Sequence, residues 1–284
     1  MKKSLLIIAA FIVGLTACTN SSKSTATESL LFDSIGTERT DTIANVKIHV
    51  AYPTEGPASL VDSLRRFIAQ TLQSGAVFEP EDEMSAKNLL VGDEALSGDG
   101  QALLSAAAQR EYDRLKSDRE EMLNGFEGDP RTVATWPPYE SSYDITLLHE
   151  TDAYVTLLVQ RYEYLGGPHG STVVSGSTFG KADGRLLGWS LLKDMDTPAF
   201  QQLIRDGIRQ YFQNATNGPV SDEQLDEWLM LPADAKQIPL PAVAPYLTAD
   251  GVAFIYQQYE IAPYTAGLPS FTVSYADMQP FLAQ

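Results

Sequence analysis

Residues 142–180, SYDITLLHETDAYVTLLVQRYEYLGGPHGSTVVSGSTFG, contain three segments rich in β-branched and aromatic residues, which are typical of strands. The first two segments, residues 142–149 and 153–164, are separated only by the polar turn formed by Glu150, Thr151 and Asp152. The third segment, residues 171–179, follows a glycine-rich connection at residues 166–170. Consecutive strands joined by short turns predict an antiparallel sheet in this part of the chain.

Further strands and helices are predicted on both sides of this stretch. Residues 40–52 alternate apolar and polar side chains with the period of a half-buried strand, and two more strands are predicted at 251–259 and 270–275. Apolar residues at helical spacing predict helices at 59–72, 101–123, 197–212 and 222–229. Strands that come in runs, with helices inserted, predict an α+β fold in which helices pack on an antiparallel sheet.

The N-terminal segment has the pattern of an export signal. Lys2 and Lys3 precede the apolar residues 5–13, and small residues lead to Cys18, the only cysteine. The apolar run is shorter than the roughly 20 residues that a membrane-spanning helix needs. The segment resembles the signal of bacterial lipoproteins, which implies that residues 1–17 are removed and that Cys18 carries a diacylglyceryl group and an N-acyl chain.

Residues 18–39 are then expected to form the lipidated cysteine and a flexible tether, because the segment after Cys18 is polar, small and without periodicity. Residues 19–22 (TNSS) lack the acidic side chains that often direct lipoproteins to the cell surface. We therefore expect a cell-envelope protein that is lipid-anchored in the outer membrane and faces the periplasm.

The chain is strongly acidic, with a formal net charge of −17 over 284 residues. This charge argues against nucleic-acid binding, which needs a basic surface that displaces counterions. It favours basic partners through the rate of association, although acidity that only keeps the protein soluble is an alternative explanation. No other cysteine is present, so an exported chain of this composition depends on its hydrophobic core for stability.

No local motif for catalysis or cofactor binding is present. The three histidines, His49, His149 and His169, are too far apart in sequence to form a metal-binding pair on one helix, and no cofactor is predicted. The chain has no Gly-x-Ser-x-Gly turn and no phosphate-binding loop. A Ser–His–Asp site assembled from distant residues remains open.

Two segments carry the candidate binding residues. His169 lies among glycines in GGPHG (166–170), where the backbone can turn tightly or let a ligand approach; a turn stabilised by the histidine is the alternative. Residues 256–267 are rich in tyrosine, which suits a recognition surface, or a loop over which the tyrosines pack. The predicted ligand-binding residues are Gly167, His169, Gly170, Tyr259, Glu260 and Tyr264.

These segments resemble the DUF3298 family. The resemblance rests on residues 164–170 (YLGGPHG), 183–184 (DG), 191–194 (LLKD), 259–264 (YEIAPY), Gly267 and 273–275 (VSY). It implies a DUF3298-like part at 161–284 after a DUF4163-like part at 40–160, the two forming one compact unit. The family includes the extracytoplasmic domain of the anti-sigma factor RsiV, a lysozyme receptor.

Together these features favour a non-enzymatic envelope lipoprotein that binds a basic protein such as lysozyme, or peptidoglycan. One alternative is an envelope hydrolase that acts on cell-wall material, with His169 as general base and Glu260 or Asp183 as its partner. A purely structural role in the envelope is a further alternative.

Overall fold

Residues 29–74, 96, 98–128, 136–232, 235 and 237–283 are described by a computed structural model. Nine strands and five helices follow in these residues: β1 Leu31–Thr40, β2 Ala44–Glu55, α1 Ala58–Ser74, α2 Gln101–Asn124, β3 Tyr139–Glu150, β4 Tyr154–Tyr164, β5 Ser171–Gly180, β6 Leu186–Leu187, α3 Pro198–Thr216, α4 Asp222–Trp228, β7 Tyr246–Leu247, β8 Gly251–Ile255, β9 Ser270–Ser274 and α5 Tyr275–Met278. Short 3-10 helices lie at Trp189–Leu191, Tyr264–Ala266 and Gln279–Phe281.

The strands form two sheets. The larger sheet has the order β1-β2-β3-β4-β5-β6, and the smaller one has the order β7-β8-β9. All neighbouring strands are antiparallel except β2 and β3, which run parallel. Parallel strands need a long crossover, and the segment with α1 and α2 supplies it. The predicted α+β class is confirmed, with this one parallel pair as a departure from a purely antiparallel sheet.

The strand β1 corrects the predicted extent of the tether, because residues 31–39 pair with β2 instead of forming a flexible linker. Only Phe32, Ile35 and Thr37 of this edge strand are half-buried, so its sequence carries little apolar alternation. The turn into β2 is held by Asp41, whose Oδ1 accepts hydrogen bonds from the N–H groups of Ile43 (2.7 Å) and Ala44 (3.0 Å). The predicted signal at 1–17, the lipidated Cys18 and the start of the tether lie outside the described residues.

One face of the larger sheet is covered by α1 and α2. Alternate residues of β2, Val46, Ile48 and Val50, point into this core and are buried. Leu64 of α1 and Leu104 of α2 are fully buried in the same cluster. The residues between them on β2 point to the opposite face, which is therefore more polar and more exposed.

The smaller sheet forms a second core with α3 and α4, in which Phe200, Ile204 and Phe254 are buried. It also contacts β5 of the larger sheet: the Leu247 N–H donates to Oγ1 of Thr178 (2.9 Å). The described parts of the chain contain no helix that is long and apolar enough to cross a membrane.

Candidate functional site

The candidate site begins at the connection between β4 and β5. Gly166 (φ 87°) and Gly167 (φ 91°) have left-handed backbone conformations, which glycine adopts without the strain that a Cβ would cause. The hydroxyl of Tyr164 donates to the carbonyl oxygen of Gly167 (3.1 Å) and closes the turn. This turn carries His169 on the exposed surface of the protein.

The His169 imidazole stacks on the ring of Tyr264, with 3.8 Å between ring centroids and 21° between ring planes. Both side chains are directed to the carbonyl oxygen of Gly170: the Tyr264 hydroxyl donates to it at 3.0 Å, and His169 Nδ1 lies 3.1 Å away. Because a carbonyl oxygen only accepts, Nδ1 carries a proton, and Nε2 of the neutral ring remains an acceptor. A side chain at position 170 would overlap the ring of Tyr162, so glycine permits this close packing.

Two glutamine side chains fix the neighbouring segment, residues 256–267, against β5. Gln257 Oε1 accepts from the Val174 N–H (3.1 Å), and Gln257 Nε2 donates to the Val174 carbonyl oxygen (2.9 Å). Gln258 Oε1 accepts from the Thr172 N–H (3.0 Å). Since β6 pairs with β5 only at Phe179 and Thr178, the glutamines take the place of a neighbouring strand at Thr172 and Val174.

Glu260 acts within the same segment. Its Oε1 accepts from the Ala242 N–H and its Oε2 from the Gln257 N–H, each at 2.6 Å. Both oxygens thus bind backbone amides, so Glu260 positions the loop. It also supports Tyr259, a non-glycine residue with a φ of 65°, whose ring is 57% exposed and lies 5.7 Å from that of Tyr264. Strained backbone that presents a large exposed side chain is concentrated at functional sites.

The β4–β5 turn also lines an aromatic groove of about 450 Å³. Its lining includes Trp136, Tyr139 and Tyr164 together with Gly166. Nη1 of Arg119, on α2, donates to the carbonyl oxygen of Pro137 (2.7 Å) and holds the Trp136 segment in place. The β4–β5 turn therefore contributes to both the aromatic groove and the His169 cluster.

The structure brings most of the predicted site residues together. Gly167, His169, Gly170, Tyr259 and Tyr264 lie in one surface cluster, in which His169 and Tyr259 are exposed and Tyr264 is half-buried, whereas the carboxylate of Glu260 points to the backbone behind it.

Asp183 does not join this cluster. It follows the opposite end of β5, about 30 Å from His169 for a ten-residue strand. Its Oδ1 accepts from the Arg185 N–H (3.0 Å) and stabilises the local turn. Within the described residues, the one hydrogen bond of the His169 ring is to Gly170, so neither Glu260 nor Asp183 orients it as the partner of a general base.

Sequence patterns alone do not identify Tyr162, Gln257 or Gln258 as site residues. Gln257 and Gln258 contact Val174 and Thr172, which lie 83 and 86 residues earlier in the chain, and the Tyr162 ring packs on Gly170 across the β4–β5 turn. The sequence feature that could have indicated the glutamines is their position as two consecutive amide side chains between Tyr256 and Tyr259, at the end of a predicted strand.

Comparisons with known proteins identify the C-terminal part of this architecture. Residues 190–276 match the family model described as "Protein of unknown function (DUF3298)". This range includes Tyr259, Glu260 and Tyr264 and begins after His169. A search of the curated proteins finds no match.

Two solved structures share the fold. One is a DUF3298 family member from Bacteroides fragilis, with a TM-score of 0.63 and 19% identity, covering 91% of this chain and 95% of that one. The other is a DUF3298 family protein from Pseudomonas aeruginosa, with a TM-score of 0.56 and 14% identity, covering 90% of this chain and 95% of that one. At these identities the likeness concerns the fold alone. Residues 190–276 of this chain are a DUF3298 domain.

Proposed function

We propose that the protein is a lipoprotein of the cell envelope, anchored through Cys18 in the outer membrane and facing the periplasm, and that its His169 cluster binds a ligand without catalysing a reaction. Its function is to bind an extracytoplasmic ligand through the exposed cluster of His169, Tyr259 and Tyr264. The observation that carries this proposal is the fixed geometry of the cluster, since Gln257 and Glu260 hydrogen-bond its supporting backbone. A surface that is already ordered loses less entropy when it binds.

A basic protein such as a lysozyme is the ligand that we consider first. Tyrosine is enriched at protein interfaces because it combines a large apolar ring with a polar hydroxyl. The net charge of −17 favours a basic partner. The resemblance of the sequence to the extracytoplasmic domain of RsiV, with a DUF4163-like region at 40–160, points to the same class of ligand.

Peptidoglycan is the second candidate, and the aromatic groove beside Gly166 favours it. The flat rings of Trp136 and Tyr164 line this groove and offer apolar faces to the C–H groups of a sugar ring. A glycan strand bound there would lie next to His169 across the β4–β5 turn.

The test is calorimetric titration of the full-length lipidated protein, in detergent micelles, with a C-type lysozyme at low salt and at about 0.3 M salt. We expect micromolar or tighter binding that persists at the higher salt. His169→Ala and Tyr259→Ala should each weaken it at least about tenfold, or about 1.4 kcal/mol. Both residues are exposed, so thermal stability should stay within about 1 kcal/mol of the parent.

His149→Ala, which changes a histidine at the end of β3, is the matched control and should bind as the parent does. Binding that disappears at 0.3 M salt would mean attraction by net charge alone. If binding persists but neither variant weakens it, the ligand uses another surface. Sedimentation with insoluble peptidoglycan, using the same variants, tests the second candidate.

A further inference from the structure

Three polar side chains on adjacent strands form a hydrogen-bonded line on the exposed face of the larger sheet. Oγ of Ser34, on β1, lies 2.7 Å from Nε2 of His49, on β2. Nδ1 of the same imidazole lies 2.7 Å from Oδ1 of Asp144, on β3. The register explains the line, because His49 lies directly opposite Asp144 on β3 and opposite Gly36 on β1, two residues from Ser34.

The carboxylate fixes the direction of one of these hydrogen bonds, and the direction of the other follows when the imidazole is neutral. An ionised carboxylate only accepts, so His49 Nδ1 donates to Asp144. Nε2 of the neutral ring then accepts, and the Ser34 hydroxyl donates to it. A hydroxyl bonded to Nε2 and a carboxylate bonded to Nδ1 are the arrangement that activates a serine nucleophile. We propose that Ser34, His49 and Asp144 form a hydrolytic site for carboxylic esters with small acyl groups, with Ser34 as the nucleophile.

The site is open to a substrate. Ser34 is exposed, and the side chains of His49 and Asp144 are 50% and 57% exposed. Gly36 has no side chain that would cover the imidazole from the neighbouring strand, and an open groove of about 540 Å³ runs along Gly36, His49 and Asp144. Ser34 lies outside the lining of this groove but is itself exposed, so a small acyl group can reach its hydroxyl directly from solvent.

Backbone donors for the developing oxyanion are available at the edge of the sheet. The Asp41 N–H donates to the Ala44 carbonyl oxygen (3.1 Å), so these two residues form a hydrogen-bonded pair of the β1–β2 ladder. Along an antiparallel ladder, hydrogen-bonded pairs alternate with pairs that are not hydrogen-bonded. By this alternation the N–H groups of Ser34 and Gly36 point away from β2, at the edge beside the nucleophile. Such donors stabilise the tetrahedral intermediate of acyl transfer.

The reaction balances with water as the only co-reactant. Ser34 Oγ attacks the carbonyl carbon while its proton moves to His49 Nε2, and Asp144 stabilises the resulting imidazolium. When the intermediate collapses, the ester C–O bond breaks and the leaving alcohol takes the proton from Nε2. Water then attacks the acyl-serine and gives its proton to His49. The carboxylic acid departs, and the proton returns from His49 to Ser34 Oγ.

The test uses the full-length protein with p-nitrophenyl acetate as substrate and a fluorophosphonate as covalent probe. We expect a single phosphonyl adduct on Ser34, located by peptide mass spectrometry. Ser34→Ala should abolish the adduct. His49→Ala should slow both labelling and ester hydrolysis about 100-fold, the low end of the range for a positioned general base. Asp144→Asn, which keeps the shape of the side chain but removes its charge, should reduce both rates by less.

The matched controls are Ser270→Ala, an exposed serine on β9, and His149→Ala on β3, and both should react as the parent does. Unchanged midpoints of thermal unfolding establish that the variants are folded. The proposal is overturned if Ser34 carries no adduct, or if labelling and hydrolysis are as fast in His49→Ala as in the parent. The lysozyme titration is independent of this outcome, because none of the three residues belongs to the His169 cluster.

Discussion

Replacement of Glu260 by alanine tests whether the carboxylate of this residue holds the loop that carries Tyr259. The two oxygens of this carboxylate accept hydrogen bonds from the N–H groups of Ala242 and Gln257, each at 2.6 Å. The first bond ties the segment before β7 to the loop, and the second closes the turn that holds Tyr259 at a φ of 65°. Glu260→Ala removes both acceptors. The two backbone N–H groups must then donate to water, or the loop must rearrange to supply other acceptors.

The magnitude follows from the two hydrogen bonds. A bond to a charged group contributes about 1.5–3 kcal/mol to stability when it is buried. Glu260 is only half-buried and water can partly replace it, so we discount the pair to about 2 kcal/mol in total. For a domain of this size, that loss lowers the midpoint of thermal unfolding by about 4–8 °C. Glu260→Gln keeps one amide oxygen as an acceptor and should lose about half as much.

The assay is urea denaturation followed by circular dichroism, with thermal unfolding as a second measure. Glu227→Ala is the matched control, because this exposed carboxylate lies on α4 and should change stability by less than about 0.5 kcal/mol. The reasoning is refuted if Glu260→Ala unfolds at the same urea concentration as Glu227→Ala. It is also refuted if Glu260→Gln is as damaging as the alanine variant, since the retained oxygen would then have no effect.

Two further predictions concern the contact between the sheets and the response to acid. Gly176→Leu should destabilise the protein by about 1–3 kcal/mol in urea denaturation, because any side chain at this position overlaps the ring of Tyr246. Burial raises the pKa of Glu111, but hydrogen bonds from Arg114 and Ser141 outweigh it and hold the pKa below the usual 4.5. The stability that Glu111 contributes is therefore present above pH 4.5 and is lost as the pH falls through its lower folded-state pKa. Between pH 6 and pH 3, the urea midpoint should consequently change less in Glu111→Gln than in the parent.

The parts of the fold that are encoded locally could be predicted from the sequence. The helix predicted at 101–123 is α2, and the strand predicted at 153–164 is β4, each within one residue at its ends. Both carry a strong local pattern, since α2 buries a stripe of apolar residues and β4 is a run of β-branched and aromatic residues that follows a polar turn. Such patterns depend only on neighbours along the chain.

The strand β1 and the parallel pairing of β2 with β3 could not be predicted in this way. The first strand lies at the edge of the sheet, where most of its side chains contact water and no apolar alternation is required. The parallel pair joins Ile48 to Tyr143 across a long crossover, and no local pattern states which strands become neighbours. Because β1 is not predicted as a strand, the sequence does not indicate that Ser34 lies in the same row of hydrogen-bonded side chains as Asp144.

The candidate binding cluster depends on contacts between the DUF3298 domain and the strands that precede it. Tyr264 lies inside residues 190–276, but its stacking partner His169 and its hydrogen-bond acceptor Gly170 lie outside them. The same is true of the Gln257 side chain, whose amide pairs with Val174 of β5. A DUF3298 domain joined to a different preceding segment would keep its tyrosines and the Glu260 hydrogen bonds but lose the contacts with His169, Gly170 and Val174. The binding surface that we propose is therefore a property of the junction, and a match to the domain alone does not imply it.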